Sequence, residues 1–143
     1  MKHGFLKVAA ATPLIRVADC DFNTNNILKL IDEAAVEGVK LVVFPELCIT
    51  GYTCGDLFLQ DSLLRAAAES IGTVADYSKN KDIVIVVGFP YQNKGVLYNT
   101  AAVIFNGKVL GLVPKQNIPN YTEFYEARHF TPGNPEPITV NFL

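Results

Sequence analysis

Apolar residues along the chain change period several times, and each change marks an element. Phe5 to Thr12 is an apolar run ended by Pro13, which predicts a first buried strand. From Asn23 to Val36, Ile27, Leu30, Ile31 and Ala34 recur at the spacing of one helix face. Asn23 or Thr24 can cap that helix and Gly38 can end it. Lys40 to Pro45 carries Leu41, Val42, Val43 and Phe44 without a break, the pattern of a strand buried on both faces.

Glu46 to Gln60 is rich in polar and turn residues and reads as a loop. Asp61 or Ser62 then starts a second helix running to about Ser78, with Leu64, Ala67, Ile71, Val74 and Ala75 on its buried side. Ile83 to Phe89 is another unbroken apolar strand, and Gln92 to Gly95 is a turn. Val96 to Phe105 and Lys108 to Pro114 flank Asn106-Gly107, a strong hairpin signal. Beyond Lys115 the period is lost among Pro119, Pro132, Gly133, Pro135 and Pro137, with a short helical turn expected near Glu123. Ile138 to Leu143 reads as a last strand. Strand, helix, strand, helix, strand and hairpin make an α/β layered domain rather than a bundle or an all-β sandwich.

Composition narrows the functional classes. The 143 residues suffice for one domain, and no internal repeat or domain boundary divides them. Half are hydrophobic and only 18% are charged, so extensive burial is expected. With a net charge of −2 there is no basic patch to attract nucleic acid or anionic lipid. No apolar stretch approaches the roughly twenty residues of a membrane span. Lys2 and the run after it have some look of a signal peptide, but Lys7 and Pro13 interrupt it, and the strand reading prevails. Cys20, Cys48 and Cys54 are odd in number and unpaired in spacing, which argues against a disulfide framework and for a reducing cytoplasm. His3 and His129 lie far from them, so no metal site is expected.

Ligands in α/β sheets gather at the carboxyl ends of strands. Glu46 and Lys115 each follow an apolar strand, and Glu126 lies in the loop beyond. A carboxylate beside a lysine can serve as general base while the ammonium stabilises an oxyanion. Spacing alone leaves the plainer alternative standing, that both are solvated residues opening loops. It also does not choose between Glu123 and Glu126.

The words around these residues add to that. Phe44-Pro45-Glu46-Leu47-Cys48-Ile49-Thr50-Gly51-Tyr52, followed by Asp56-Leu57-Phe58, resembles the first motif of the nitrilase superfamily of carbon-nitrogen hydrolases. Tyr98-Asn99-Thr100-Ala101 resembles a strand of that family. So do Pro114-Lys115-Gln116-Asn117-Ile118-Pro119-Asn120-Tyr121, Phe124-Tyr125-Glu126 and Arg128-His129-Phe130. Within the superfamily the chain is most similar to the glutaminase domains of glutamine-dependent NAD synthetases, from about Lys7 to Gly133.

The resemblance implies the N-terminal part of a four-layer αββα sandwich and a Glu-Lys-Cys triad. Glu46 matches the general base and Lys115 the lysine that stabilises the tetrahedral intermediate. Glu126 matches a second glutamate that positions that lysine or the substrate. Tyr121 matches a residue contacting bound glutamine, and Tyr52 a tyrosine near the pocket entrance. The implied substrate is glutamine, whose ammonia serves the ATP-dependent amidation of deamido-NAD. The family's cysteine motif does not occur here, and Cys20, Cys48 and Cys54 read as buried structural thiols. The expectation is therefore an inactive partial glutaminase domain over 1–143 that needs no cofactor of its own. ATP and magnesium would belong to an absent synthetase domain, and the parent protein would be a homo-oligomer. A stand-alone amidase for another small amide and a non-catalytic interaction module are the competing readings.

Overall fold

The computed structural model describes residues 4–142; Met1, Lys2, His3 and Leu143 lie outside them. β1 (Val8–Ala10), β2 (Leu41–Val43), β3 (Val84–Asn93), β4 (Val96–Phe105) and β5 (Lys108–Pro114) form one sheet in the order β1-β2-β3-β4-β5. β1, β2 and β3 are parallel, and the β3–β4 and β4–β5 pairs are antiparallel. α1 (Cys20–Val36) links β1 to β2, and α2 (Asp61–Tyr77) links β2 to β3. Such crossovers put helices against a sheet face. The fold is α/β, as the element order predicts.

α1 begins three residues earlier than its apolar period suggests. Asp19 is the N-cap, its carboxylate accepting from Phe22 N at 3.0 Å. Asn23 is fully buried inside the helix, and its side chain does longer-range work. It accepts from Arg16 N at 2.7 Å and donates to Arg16 O and Ile49 O at 2.8 and 2.9 Å, tying the helix to two loops. Gly38, at φ 73°, closes the helix: its N–H bonds Ala35 O, and Val39 N bonds Ala34 O. In α2 the N-cap is Gln60, without a side-chain cap bond, and Asp61 is the first helical residue, its charge favourable at the positive end of the helix dipole.

Strand alternation sorts the sheet into two unlike faces. Val42, Ile85, Val87, Phe89, Ala102 and Ile104 share one face and are fully buried in the core with Ile71 and Val74 of α2. The opposite face carries Val8, Val43, Val86, Gly88, Asn99, Val103 and Val113. Gly88 and Asn99 are buried beneath the Glu46 turn and the residues around Lys115, but the rest is open: Val8 is 58%, Val43 41% and Val113 59% exposed. The unbroken apolar runs of β2 and β3 predict burial on both faces; within the described residues one face is covered throughout and the other only around Gly88 and Asn99. β1 is correspondingly a short edge strand rather than a buried run from Phe5 to Thr12.

Two hairpins finish the sheet. Lys94-Gly95 and Asn106-Gly107 both have positive φ at their two central positions, the signature of the tight turn matched to strand twist. The first ladder runs to Asn93, so only Lys94 and Gly95 turn. The bulge in β4–β5 falls at Val103/Ile104 and leaves Leu110 outward and 60% exposed. The strand expected from Ile138 does not form through Phe142. Pro135 and Pro137 cannot donate to a ladder, and the segment docks instead by Phe142, whose ring meets Phe89 and Tyr91 at 5.7 and 5.5 Å.

Candidate active site

Glu46 is set by a tight turn at the end of β2. Phe44 N extends the ladder to Val86 O at 2.8 Å, and the chain then folds back, with Gly51 N bonding Leu47 O at 2.8 Å and Ile49 N bonding Gly88 O at 3.2 Å. Leu47 adopts φ 51°, an uncommon conformation for a residue with a side chain. It is held there by complete burial of that side chain. Gly88 of β3 lies under the turn, and only its missing Cβ allows the approach.

Lys115 comes one residue past β5. Its N–H bonds Asn99 O of β4 and its carbonyl accepts from Gly133 N, both at 2.8 Å. A Cβ on Gly133 would fall 2.6 Å from Pro114 Cγ, so the returning chain presses directly on the base of Lys115. Glu126 opens a 3-10 turn, Glu126–Arg128, three residues beyond the turn expected at Glu123. Two contacts fix that turn. The Phe130 ring, buried, meets Phe58 at 5.0 Å. Arg128 Nε and Nη2 grip Asp56 at 2.9 and 3.1 Å, while His129 Nε2 lies 3.1 Å from the same carboxylate. Phe58 and Asp56 belong to the 3-10 turn Gly55–Leu59 inside the segment read as loop.

These supports bring three of the expected residues into contact. Lys115 Nζ donates to Glu46 Oε1 at 2.8 Å and to Glu126 Oε1 and Oε2 at 2.9 and 3.1 Å. Tyr52 joins them, its hydroxyl donating to Glu126 Oε1 at 2.8 Å. Tyr121 does not: it is 65% exposed, its ring against Phe124 at 5.5 Å. Placement separates the two loop glutamates: Glu126 is buried in the cluster and Glu123 is exposed on the loop.

Asn99 is the residue that sequence reasoning passed over. It is buried in β4 and donates from Nδ2 to both Glu46 Oε1 and Glu126 Oε2, the latter at 3.3 Å. The available signal was an amide side chain in an otherwise apolar strand, which must find partners when buried.

Two carboxylates thus converge on one ammonium. Burial alone would push the Lys115 ammonium down, but hydrogen bonds from it to Glu46 and Glu126 outweigh that and hold its pKa above the ordinary lysine value. Burial likewise raises Glu126, and Lys115, Tyr52 and Asn99 reverse it, leaving Glu126 below the usual range. Burial raises the Tyr52 hydroxyl, and Glu126 as acceptor raises it further. The lysine therefore stays charged and Glu126 stays anionic near neutrality. Glu46 is the more exposed carboxylate, 40% against 5% for Glu126. Its Oε2 accepts no hydrogen bond among the described residues.

None of the three thiols bonds a member of this cluster. Cys48 Sγ faces Gly88 O at 3.6 Å and is pushed up to about 12 by burial, and burial takes Cys20 up to about 11. Cys54 is raised by the same cause, and all three are buried. Among the described residues no group of three or more His, Cys, Asp or Glu side chains is placed to hold a metal ion.

The carbon-nitrogen hydrolase family matches residues 7–142. The chain belongs to that family. Among relatives of this chain, the glutamine-dependent NAD(+) synthetase of Mycobacterium tuberculosis (strain ATCC 25618 / H37Rv) is 41% identical over 139 residues, 97% of this chain. That of Aquifex aeolicus is 39% identical over 124 residues, 87% of this chain. The chain spans about a fifth of the length of these curated relatives, 20% and 21%. The crystal structure of a glutamine-dependent NAD(+) synthetase from Cytophaga hutchinsonii superposes with a TM-score of 0.88 at 35% identity, over 94% of this chain and 23% of that one. An amidase from Nesterenkonia sp. shares the fold alone, with a TM-score of 0.78 at 21% identity over 99% of this chain and 53% of its own. The fold is thus that of nitrilase-type hydrolases. No helix of the described residues is long and apolar enough to cross a membrane.

Proposed function

We propose that this chain is the base-and-lysine part of a glutaminase that frees ammonia for the ATP-dependent amidation of deamido-NAD to NAD. The observation that carries the reading is the meeting of Glu46, Lys115 and Glu126, the family-matched residues, at 2.8 to 3.1 Å around one ammonium. The names of relatives up to 41% identical support glutamine as the amide.

The chemistry asks little more of these side chains. Glu46 Oε2 takes the proton of a cysteine thiol supplied by a further segment of the parent protein. The thiolate attacks the side-chain amide carbon of glutamine, and the developing oxyanion lies toward the Lys115 ammonium. Glu46 returns the proton to the departing nitrogen, releasing ammonia and leaving a thioester. It then draws a proton from water, which attacks the thioester and frees glutamate and the thiol. Glu126 keeps Lys115 charged and fixed throughout. ATP and magnesium act in the synthetase part of such a protein.

The test uses the whole protein that carries this chain. Glu46→Gln and Lys115→Ala should each lower the glutamine-driven rate at least about a hundredfold, the usual scale for such groups. NAD formation from added ammonia should persist. Equal loss with both nitrogen sources would make these residues structural. Faster turnover of another small amide than of glutamine would assign the site to a different substrate.

A further inference from the structure

Lys115 Nζ lies within hydrogen-bond distance of Glu46 Oε1 and of both Glu126 oxygens. Two carboxylates on one ammonium still leave a net negative charge, and like charges at this range repel. A second lysine or arginine would neutralise that charge but would compete for the oxyanion and tie up the base. The side-chain amide of Asn99 supplies donors without charge.

We infer that Asn99 is a positioning residue for this hydrolase: its Nδ2 clips Glu46 Oε1 and Glu126 Oε2 to one point, fixing which Glu46 oxygen is engaged and which stays open. The inference rests on the glutaminase reading. Three observations carry it. Asn99 is 4% exposed, so its bonds are shielded from competing water. The amide cannot be turned over, because that would set Oδ1 against two carboxylates. Its backbone carbonyl also holds Lys115 N at 2.8 Å, so one residue of β4 fixes all three members of the cluster. With both Nδ2 hydrogens engaged, Glu46 cannot swing without breaking bonds to Asn99 and Lys115 together, and Oε2 remains the free base.

Asn99 acts through other residues, so the test must separate positioning from folding and from substrate contact. In the whole protein, Asn99→Leu removes the donors at similar volume, and Asn99→Asp keeps the shape while replacing donors by a third carboxylate. The charged and titratable groups facing the site are Glu46, Glu126, Lys115 and Tyr52, with Glu123 acting on Tyr52 from the loop. Asn99→Leu should lower kcat for glutamine about tenfold to a hundredfold, the worth of hydrogen bonds to charged groups, with KM nearly unchanged. Asn99→Asp should lose more. Its acid limb in the pH–rate profile should move to higher pH, because added negative charge disfavours the ionised base. Ammonia-driven synthesis and Tm report folding, and if Asn99→Leu fails to fold, Asn99→Asp decides.

An unchanged kcat and acid limb in a folded variant would overturn the inference. So would a raised KM at constant kcat, which would make Asn99 a substrate contact. A wild-type protein that releases no ammonia from glutamine would instead remove the glutaminase reading itself.

Discussion

The backbone of Glu46 rests directly on the α-carbon of Gly88. A Cβ at Gly88 would lie 2.5 Å from Leu47 N, 2.6 Å from Pro45 O and 2.9 Å from the carbonyl carbon of Glu46. All three are main-chain atoms of a turn already bent through Leu47, so they cannot yield as a flexible side chain would. Gly88→Ala should therefore lift the turn and move the Glu46 carboxylate off Lys115. The overpacking should cost about 1–3 kcal/mol. In the whole protein, glutamine-driven activity should fall far more than Tm suggests, since a shift of about 1 Å in a reacting group can cost a hundredfold. A variant with wild-type activity would mean that the turn is not needed to aim Glu46.

The Glu126 segment should come loose in acid. Asp56 is held down to about 2 by the Arg128 guanidinium and then His129, and Glu126 is held below its usual range by Lys115 and Tyr52 against burial. Both folded values lie below the unfolded ones, so both contributions are complete above the ordinary carboxylate range near pH 4 to 5. Each is lost as pH falls through its folded value, which for Asp56 means toward pH 2. The segment 121–130 carries Tyr121, Phe124, Tyr125 and Phe130, good sites for pepsin. Cleavage there should be slow near pH 4 and rapid near pH 2. Asp56→Asn should move the onset upward, and equal cleavage at both values would exclude the linkage.

The cysteines offer a contrasting expectation. Raised by burial and unconnected to Glu46, Cys20, Cys48 and Cys54 are poor thiolates. The chain of 143 residues alone should release no ammonia from glutamine. In the whole protein, Cys48→Ala and Cys54→Ala should change stability without abolishing turnover. Loss of turnover in either, at unchanged fold, would place the nucleophile inside the Glu46 turn.

What could be read from the sequence follows the range of the interactions involved. β4 and β5 have the expected bounds because Asn106-Gly107 fixes the turn within two residues. The buried side of α2 was legible because period alone defines it. The start of α1 was not, because Asp19 looks like any loop acid until its carboxylate is seen on Phe22 N, and Asn23 is recruited by Arg16 and Ile49 across the chain. Spacing placed Glu46 and Lys115 at strand ends and offered Glu126 beside Glu123 in the loop beyond; the family words chose Glu126 and added Tyr52. Packing of Phe130 on Phe58 and the grip of Arg128 on Asp56 explain why Glu126 rather than Glu123 turns inward. Tyr121, matched by the same words, stays outside the cluster. Asn99 was hidden because its role depends on three residues brought from distant segments.

The open sheet face yields the last prediction. Val8, Val43 and Val113 are each more than two-fifths exposed, and Val86 and Val103 beside them are only partly covered. They lie on neighbouring strands in register, so the apolar surface is continuous rather than scattered. Soluble monomers rarely leave such a patch beyond a few hundred Å² in water, and β2 and β3 carry the unbroken apolar runs of strands built for cover on both sides. The chain of 143 residues on its own should therefore associate with a second copy through this face, in a manner that weakens on dilution. Because Val43 and Val113 are exposed in the single chain, Val43→Lys with Val113→Lys should cost little intrinsic stability. The double variant should nonetheless sediment as a monomer. Wild-type chain that is monomeric at every concentration tested would show that the face is tolerated in water. Association that survives both lysines would place the contact elsewhere on the molecule.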